Sequence, residues 1–135
     1  MDGNANVMTL ALDRIISLDY DFGMAYIEFD LDADEYYKDI IGVTVMENQR
    51  LMKVKLWIDK SNAPYVITKP FHHSQEILTK NEDGSIIISL SLKVNFEFER
   101  LILGFGDSLE VLWPQKFRNR IAYKINRSNQ KYSEK

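Results

Sequence analysis

Residues 86–113 read IIISLSLKVNFEFERLILGFGDSLEVLW, and this stretch decides the fold. Its first part places Ile86, Ile88, Leu90, Leu92 and Val94 at every second position, the period of a strand with one buried face. Asn95 then stands where a helix N-cap is wanted, and Glu97 and Glu99 follow in the first turn, next to the positive end of the helix dipole. Phe98, Leu101, Ile102 and Phe105 fall at i, i+3, i+4 and i+7, a stripe that faces a core. Gly106 is a left-handed stop, and residues 108–113, SLEVLW, form the next strand. The passage therefore predicts strand, helix, strand.

Working outward, NEDGS at 81–85 is a turn with Gly84 free to take positive φ, so residues 74–80 pair with 86–94 as a hairpin. Upstream, residues 51–59 alternate: Met52, Val54, Leu56 and Ile58 on one face, Lys53, Lys55, Trp57 and Asp59 on the other. Ser61 is read as the cap of a short helix with Pro64 in its first turn and Ala63, Val66 and Ile67 on one side. Pro70 ends that helix, because its ring blocks continuation. Downstream, Pro114 starts a last helix in which Phe117, Ile121 and Ile125 stack at intervals of four. From residue 51 the order is strand, helix, strand, strand, helix, strand, helix. This is an α+β, ferredoxin-like split βαββαβ sandwich with a trailing C-terminal helix.

The region before residue 51 is different in kind. Residues 8–20, MTLALDRIISLDY, alternate loosely and predict one or two short strands. Asp32 opens a short helix with Glu35 in capping-box position, Tyr36, Tyr37, Ile40 and Ile41 give it an apolar stripe, and Gly42 ends it. A seam is expected between about 20 and 30. The chain thus divides into residues 1–20, an acidic connecting segment 21–50, the sandwich 51–125 and a polar tail 126–135.

The 135 residues suit one domain, and 45 % hydrophobic content suffices for a core. There is no cysteine, hence no disulfide, no thiolate zinc site and no cysteine nucleophile. No apolar run approaches the ~18 residues of a membrane span, and MDGNANV lacks the basic start and apolar core of a signal peptide. A cytoplasmic protein with no membrane partner is expected. The net charge of −3 conceals an asymmetry: residues 114–135 hold seven basic residues and one acid, leaving 10 basic and 19 acidic in 1–113. Arg118, Arg120 and Lys124 on the last helix are candidate nucleic-acid contacts, since phosphate neutralisation dominates such binding. The competing reading is a solvated helix end.

Catalytic and metal signatures are weak. Asp30, Asp32 and Asp34 imitate the opening of a calcium loop, but its sixth and twelfth positions fall on Glu35 and Ile41, where Gly and Glu are required. His72 and His73 are adjacent, so on an extended segment they point apart and do not share an ion readily. The glycines of LGFGD, Gly104 and Gly106, lie after a helix, not before one as a phosphate loop needs. No enzyme, metal or cofactor is predicted. The sharpest cluster is Lys69, His72, His73, Ser74 and Gln75, polar side chains at a helix-to-strand junction, suited to gripping an anion or a neighbouring domain.

The run Pro70, Phe71, His72, Ser74, Gln75, the Asp83–Gly84 turn, the Gly104, Phe105, Gly106 helix end and the Val111, Leu112, Pro114 step occur in an order that resembles the C-terminal extension (WCX) of WYL-domain transcriptional regulators. DADEYYKDIIGV at 32–43 is similar to the acidic helix that opens the extension, and LALDRI at 10–15 to the closing strand of the WYL domain, an Sm-like barrel. The resemblance implies a ferredoxin-like domain that senses an effector and dimerises. It also implies partners: the chain's own upstream WYL and helix-turn-helix domains, DNA through the latter, and a small molecule or single-stranded nucleic acid as effector. By the same resemblance residues 1–20 are a remnant of the barrel, and the surface facing the barrel or its ligand comprises Arg14, Lys69, His72, His73, Ser74 and Gln75. Met8 and Ala11 stand where the family commonly has arginine, which weakens the case for a nucleic-acid effector. The alternative from another class is an ACT-like domain that binds an amino acid. An acylphosphatase-like enzyme is set aside, because no arginine lies between Arg50 and Arg100 to make its anion loop.

Overall fold

The two central strands set the frame. In the computed structural model, which describes residues 7–134, strand β1 (Met52–Ile58) pairs antiparallel with β3 (Ile86–Leu92), from Met52 opposite Leu92 to Ile58 opposite Ile86. This register puts the alternating apolar residues of both strands on one side, as a two-residue period demands. Strand β2 (Glu76–Lys80) flanks β3 and β4 (Leu109–Trp113) flanks β1, giving a four-stranded sheet of order β2-β3-β1-β4. Helices α2 (Ala63–Thr68) and α3 (Phe96–Gly104) fill the two crossovers, and α4 (Gln115–Ser133) follows β4. The split βαββαβ order is therefore realised as a ferredoxin-like sandwich with a trailing helix. Helix α1 (Ala33–Tyr37) precedes it.

One core holds the layers together. Val54, Leu56 and Ile58 of β1 and Ile88, Leu90 and Leu92 of β3 are fully buried, packed against Val66 of α2 and Phe98 of α3. Phe98 stacks on Phe117 of α4 at 5.8 Å, so α4 shares the helical side of the sheet. The opposite side, carrying Lys53, Lys55 and Trp57, has no helix of this core against it. Asn95 caps α3 as expected, accepting from the Phe98 N–H at 2.9 Å. Gly84 and Gly106 both take positive φ.

Five expectations change. Helix α1 stops at Tyr37, short of Ile40, Ile41 and Gly42. Residues 8–20 form no strand: only a 3-10 turn, Leu12–Arg14, appears, and its residues are exposed. A strand needs a ladder partner for its N–H and C=O groups, and none of the described residues supplies one there. Helix α2 begins at Ala63, and Ser61 does not cap it. Instead the Asp59 carboxylate accepts from the Asn62 N–H at 2.8 Å and the Asn62 amide at 3.0 Å, while the Asp59 carbonyl takes the Ala63 N–H. Ile67 and Ile125 are exposed, each on the margin of its helix's buried stripe. The polar tail is helical to Ser133, because neither Gly nor Pro interrupts residues 115–133 and the Arg127 guanidinium lies over the Tyr123 ring at 5.8 Å. Residues 1–6 of the expected barrel remnant and Lys135 of the basic tail lie outside the described residues.

Candidate domain-docking site

The polar cluster at the α2–β2 junction is built from its backbone outward. After Lys69 closes α2, Gln75 braces the loop at both ends: its Oε1 accepts from the Phe71 N–H at 2.9 Å and its Nε2 donates to the Val66 carbonyl at 3.0 Å. Phe71 meets Phe105 edge-on at 5.3 Å, which anchors the loop against the end of α3. His72 is thereby turned inward, only 8 % exposed.

The partners of His72 fix its tautomer. Its Nδ1 lies 2.7 Å from Ser74 Oγ and 3.3 Å from the Ser74 N–H, while Nε2 lies 2.7 Å from the Lys38 carbonyl. A backbone N–H needs an acceptor and a carbonyl needs a donor, so Nδ1 is bare and Nε2 carries the proton. Ser74 Oγ accepts from the Ser91 N–H at 2.9 Å, leaving its own proton for Nδ1. A continuous chain of donors thus runs from β3 through Ser74 and His72 to residue 38. His73 Nε2 reaches the same Lys38 carbonyl at 2.6 Å from the exposed side.

That carbonyl is the first of several fastenings. The Lys93 N–H donates to the Asp39 carbonyl at 2.7 Å, and the Asn95 amide donates to the carbonyls of Ile41 and Thr44 at 2.9 and 3.0 Å. Glu97 Oε1 accepts from Thr44 Oγ1 at 2.6 Å and from the Thr44 and Val43 N–H groups. Burial alone would raise the Glu97 carboxyl, but these hydrogen bonds, Thr44 Oγ1 foremost, outweigh it and hold it below its ordinary range. Gly42, at φ +79°, lies so close over Glu97 that an added Cβ would meet Cγ at 2.7 Å. Residues 38–44 are therefore part of the domain surface, not a loose linker.

The expected site residues divide accordingly. His72, His73, Ser74 and Gln75 come together: the two histidines grip the connecting segment at the Lys38 carbonyl, while Ser74 orients His72 and Gln75 braces the loop. Lys69 stands apart, with its ammonium 5.6 Å over the Tyr65 ring. Arg14 ends the exposed 3-10 turn and shares no hydrogen bond or ion pair with the cluster among the described residues. The three helix cations face acids: Arg118 meets Glu110 at 2.5 Å and the Val111 carbonyl at 2.7 Å, while Arg120 and Lys124 flank Glu99 at 2.7 and 2.5 Å. Glu99 is nearly inaccessible, and two cations offset the cost of burying its charge. Phosphates would have to compete with these acids.

Sequence reasoning missed Lys93, Asn95 and Glu97 as fasteners. Asn95 and Glu97 were legible as a cap and a first-turn acid, and nothing local announces a second role across 50 residues. An open groove of about 470 Å3 lies elsewhere, beside the β1–α2 turn, lined by Asn62, Arg100, Leu101, Gly104, Phe105 and Ser108.

Burial holds His72 below the ordinary imidazole value, with the Lys38 carbonyl and Asp39 pulling the other way and His73 adding to the depression. Below about pH 6.5 the unfolded chain therefore binds the proton more readily than the folded one. The stability due to neutral His72 is complete above that pH and is lost as pH falls through it. Chemical denaturation at a series of pH values should show the loss, and His72→Gln, which keeps a donor for the Lys38 carbonyl but cannot titrate, should flatten it. An unchanged slope in that variant would remove His72 from the account.

Residues 50–127, more than half of the chain, match the WCX domain family. No curated protein matches the chain.

Proposed function

The chain belongs to the WCX domain family, and on that premise we propose that it is the effector-sensing and dimerising C-terminal module of a bacterial transcriptional regulator, acting by binding and not by catalysis. The observation that carries this reading is the fastening of residues 38–44 to the sandwich by His72, Lys93, Asn95 and Glu97. A connector held at four points transmits a change in the domain to whatever precedes it, whereas a flexible tether does not. The uncovered apolar side chains of residues 8–18, Leu12, Ile16 and Leu18 among them, support the same reading, since they call for a cover such as a WYL barrel. DNA enters this scheme through an upstream helix-turn-helix, and the cytoplasm is the matching compartment. Among the described residues, no helix is long and apolar enough to cross a membrane.

The groove beside the β1–α2 turn has the size of a small-molecule site and favours a small effector over a nucleic acid. It equally suits the alternative of an ACT-like domain that binds an amino acid. Thermal-shift measurements with amino acids, nucleotides and single-stranded oligonucleotides separate the cases. A ligand at about 100 times its dissociation constant adds about 2.7 kcal/mol of stability. A shift with amino acids alone supports the ACT-like reading. An oligonucleotide shift that weakens steeply with salt restores nucleic-acid sensing. If none of these ligands moves the midpoint, effector sensing by this chain is wrong.

A further inference from the structure

The face of the sheet turned away from the core, on which none of the described helices packs, has a composition that its place in the fold does not explain. Cross-strand register sets Trp113 opposite Lys55, Trp57 opposite Glu110 and Ile87, and Lys53 opposite Ser91. Paired residues project to the same side, so the two tryptophans flank Lys55, with Lys53 beyond. Trp113 is 53 % exposed. Glu110, the acid on the β4 side, is occupied by Arg118, and Glu76 stands at the β2 edge opposite Ser89, which leaves the β1 centre of the face basic and aromatic.

The same chain carries a surface of opposite character. Residues 19–32 read DYDFGMAYIEFDLD, five acids with no basic residue, interleaved with apolar side chains. The segment belongs to no helix or strand from residue 25 to 32, and Phe22 is 95 % and Tyr26 89 % exposed. It enters the domain at the rim of the sheet face, because residue 38 is bound to His72, His72 to Ser74, and Ser74 to Ser91, the partner of Lys53.

We propose that the sheet face receives the acidic, aromatic segment 19–32 of a second copy of this chain. The proposal rests on the reading of the chain as a dimerising module and names the two surfaces. The acids answer Lys53 and Lys55, and the tyrosines and phenylalanines cover Trp57 and Trp113, anchor residues of the type that dominates interfaces. Each copy supplies one face and one segment, so two equivalent contacts close a twofold dimer. Within one chain Lys53, Lys55, Trp113 and the segment's aromatic side chains stay exposed, and Trp57 is half-buried.

Charge exchange tests this on the full 135-residue chain. Lys55→Glu and Asp30→Lys alter exposed residues, and circular dichroism should show the fold unchanged. Sedimentation of the unaltered chain at low salt should show a dimer, weakened by high salt. Each single variant should dissociate at least about tenfold more readily, about 1.4 kcal/mol. An equimolar mixture of the two variants should associate again, because both contacts are then complementary. If the double variant recovers compactness as a monomer while the mixture does not associate, the segment closes on its own chain and the proposal is wrong. A dimer indifferent to both reversals overturns the interface but leaves dimerisation standing. A monomer at every concentration overturns both, and the effector titration remains independent of either result.

Discussion

Phe98→Ala should lower the unfolding free energy by about 3–5 kcal/mol, the range for removing a buried aromatic ring, and it should do so without touching the docking surface. The ring has no exposed area. It stacks on Phe117 at 5.8 Å and belongs to the cluster that includes Leu56, Leu90 and Ile102, so it is where α3, α4 and the sheet meet. The backbone N–H of the same residue is held by Asn95, which stops α3 from sliding to fill the space. The cavity therefore persists, and its cost adds to the lost transfer energy. Small domains have about 5–15 kcal/mol in total, so thermal denaturation should show a midpoint lower by more than ~10 °C. Phe98→Leu keeps most of the volume and should fall by clearly less. A loss below about 1 kcal/mol in Phe98→Ala would mean that α3 and α4 close over the gap and that the core is not organised as described.

The contrast between what was and was not legible follows from the range of each interaction. The strand at 86–94 and the cap at Asn95 were readable because a two-residue period and an N-cap are local signals, and the structure places the strand at Ile86–Leu92, two residues shorter, and the cap at the start of α3. The sheet order followed, since crossover rules leave few ways to connect these elements. Residues 8–20 misled for the same reason: their alternation is genuine, but a strand exists only with a partner. At the α2 start, Ser61 and Asp59 are both plausible acceptors, and the carboxylate, two residues earlier, won. Glu99 was read as a first-turn acid. Its pairing with Arg120 and Lys124, more than 20 residues away, and that of Glu110 with Arg118 give each of the three candidate phosphate contacts an acid within the chain. The histidine cluster was visible in composition, yet the group it binds, the carbonyl of Lys38, belongs to the backbone and leaves no trace in residue identity.

Asn95→Ala should cost about 2–4 kcal/mol, because one buried amide serves two unrelated purposes. Its Oδ1 caps α3 through the Phe98 N–H, and removing such a cap costs ~0.5–2 kcal/mol. Its Nδ2 donates to the carbonyls of Ile41 and Thr44, and losing that donor leaves buried acceptors to find water or stay unpaired, at ~1–3 kcal/mol. Asn95→Asp separates the two. The carboxylate still accepts from Phe98, and it suits the positive end of the α3 dipole. It has no proton to give to the carbonyls and repels them, so the connector should lift while the helix stays. Amide hydrogen exchange reads the difference directly. In Asn95→Asp, protection at residues 39–44 should fall while that of α3 from Phe98 onward is kept, and in Asn95→Ala both should fall. Once released at Asn95, the connector still has His72, Lys93 and Glu97, so its protection should fall only in part. If Asn95→Asp leaves the exchange of residues 39–44 as it was, Asn95 is a helix cap alone and the connector is held by the remaining contacts.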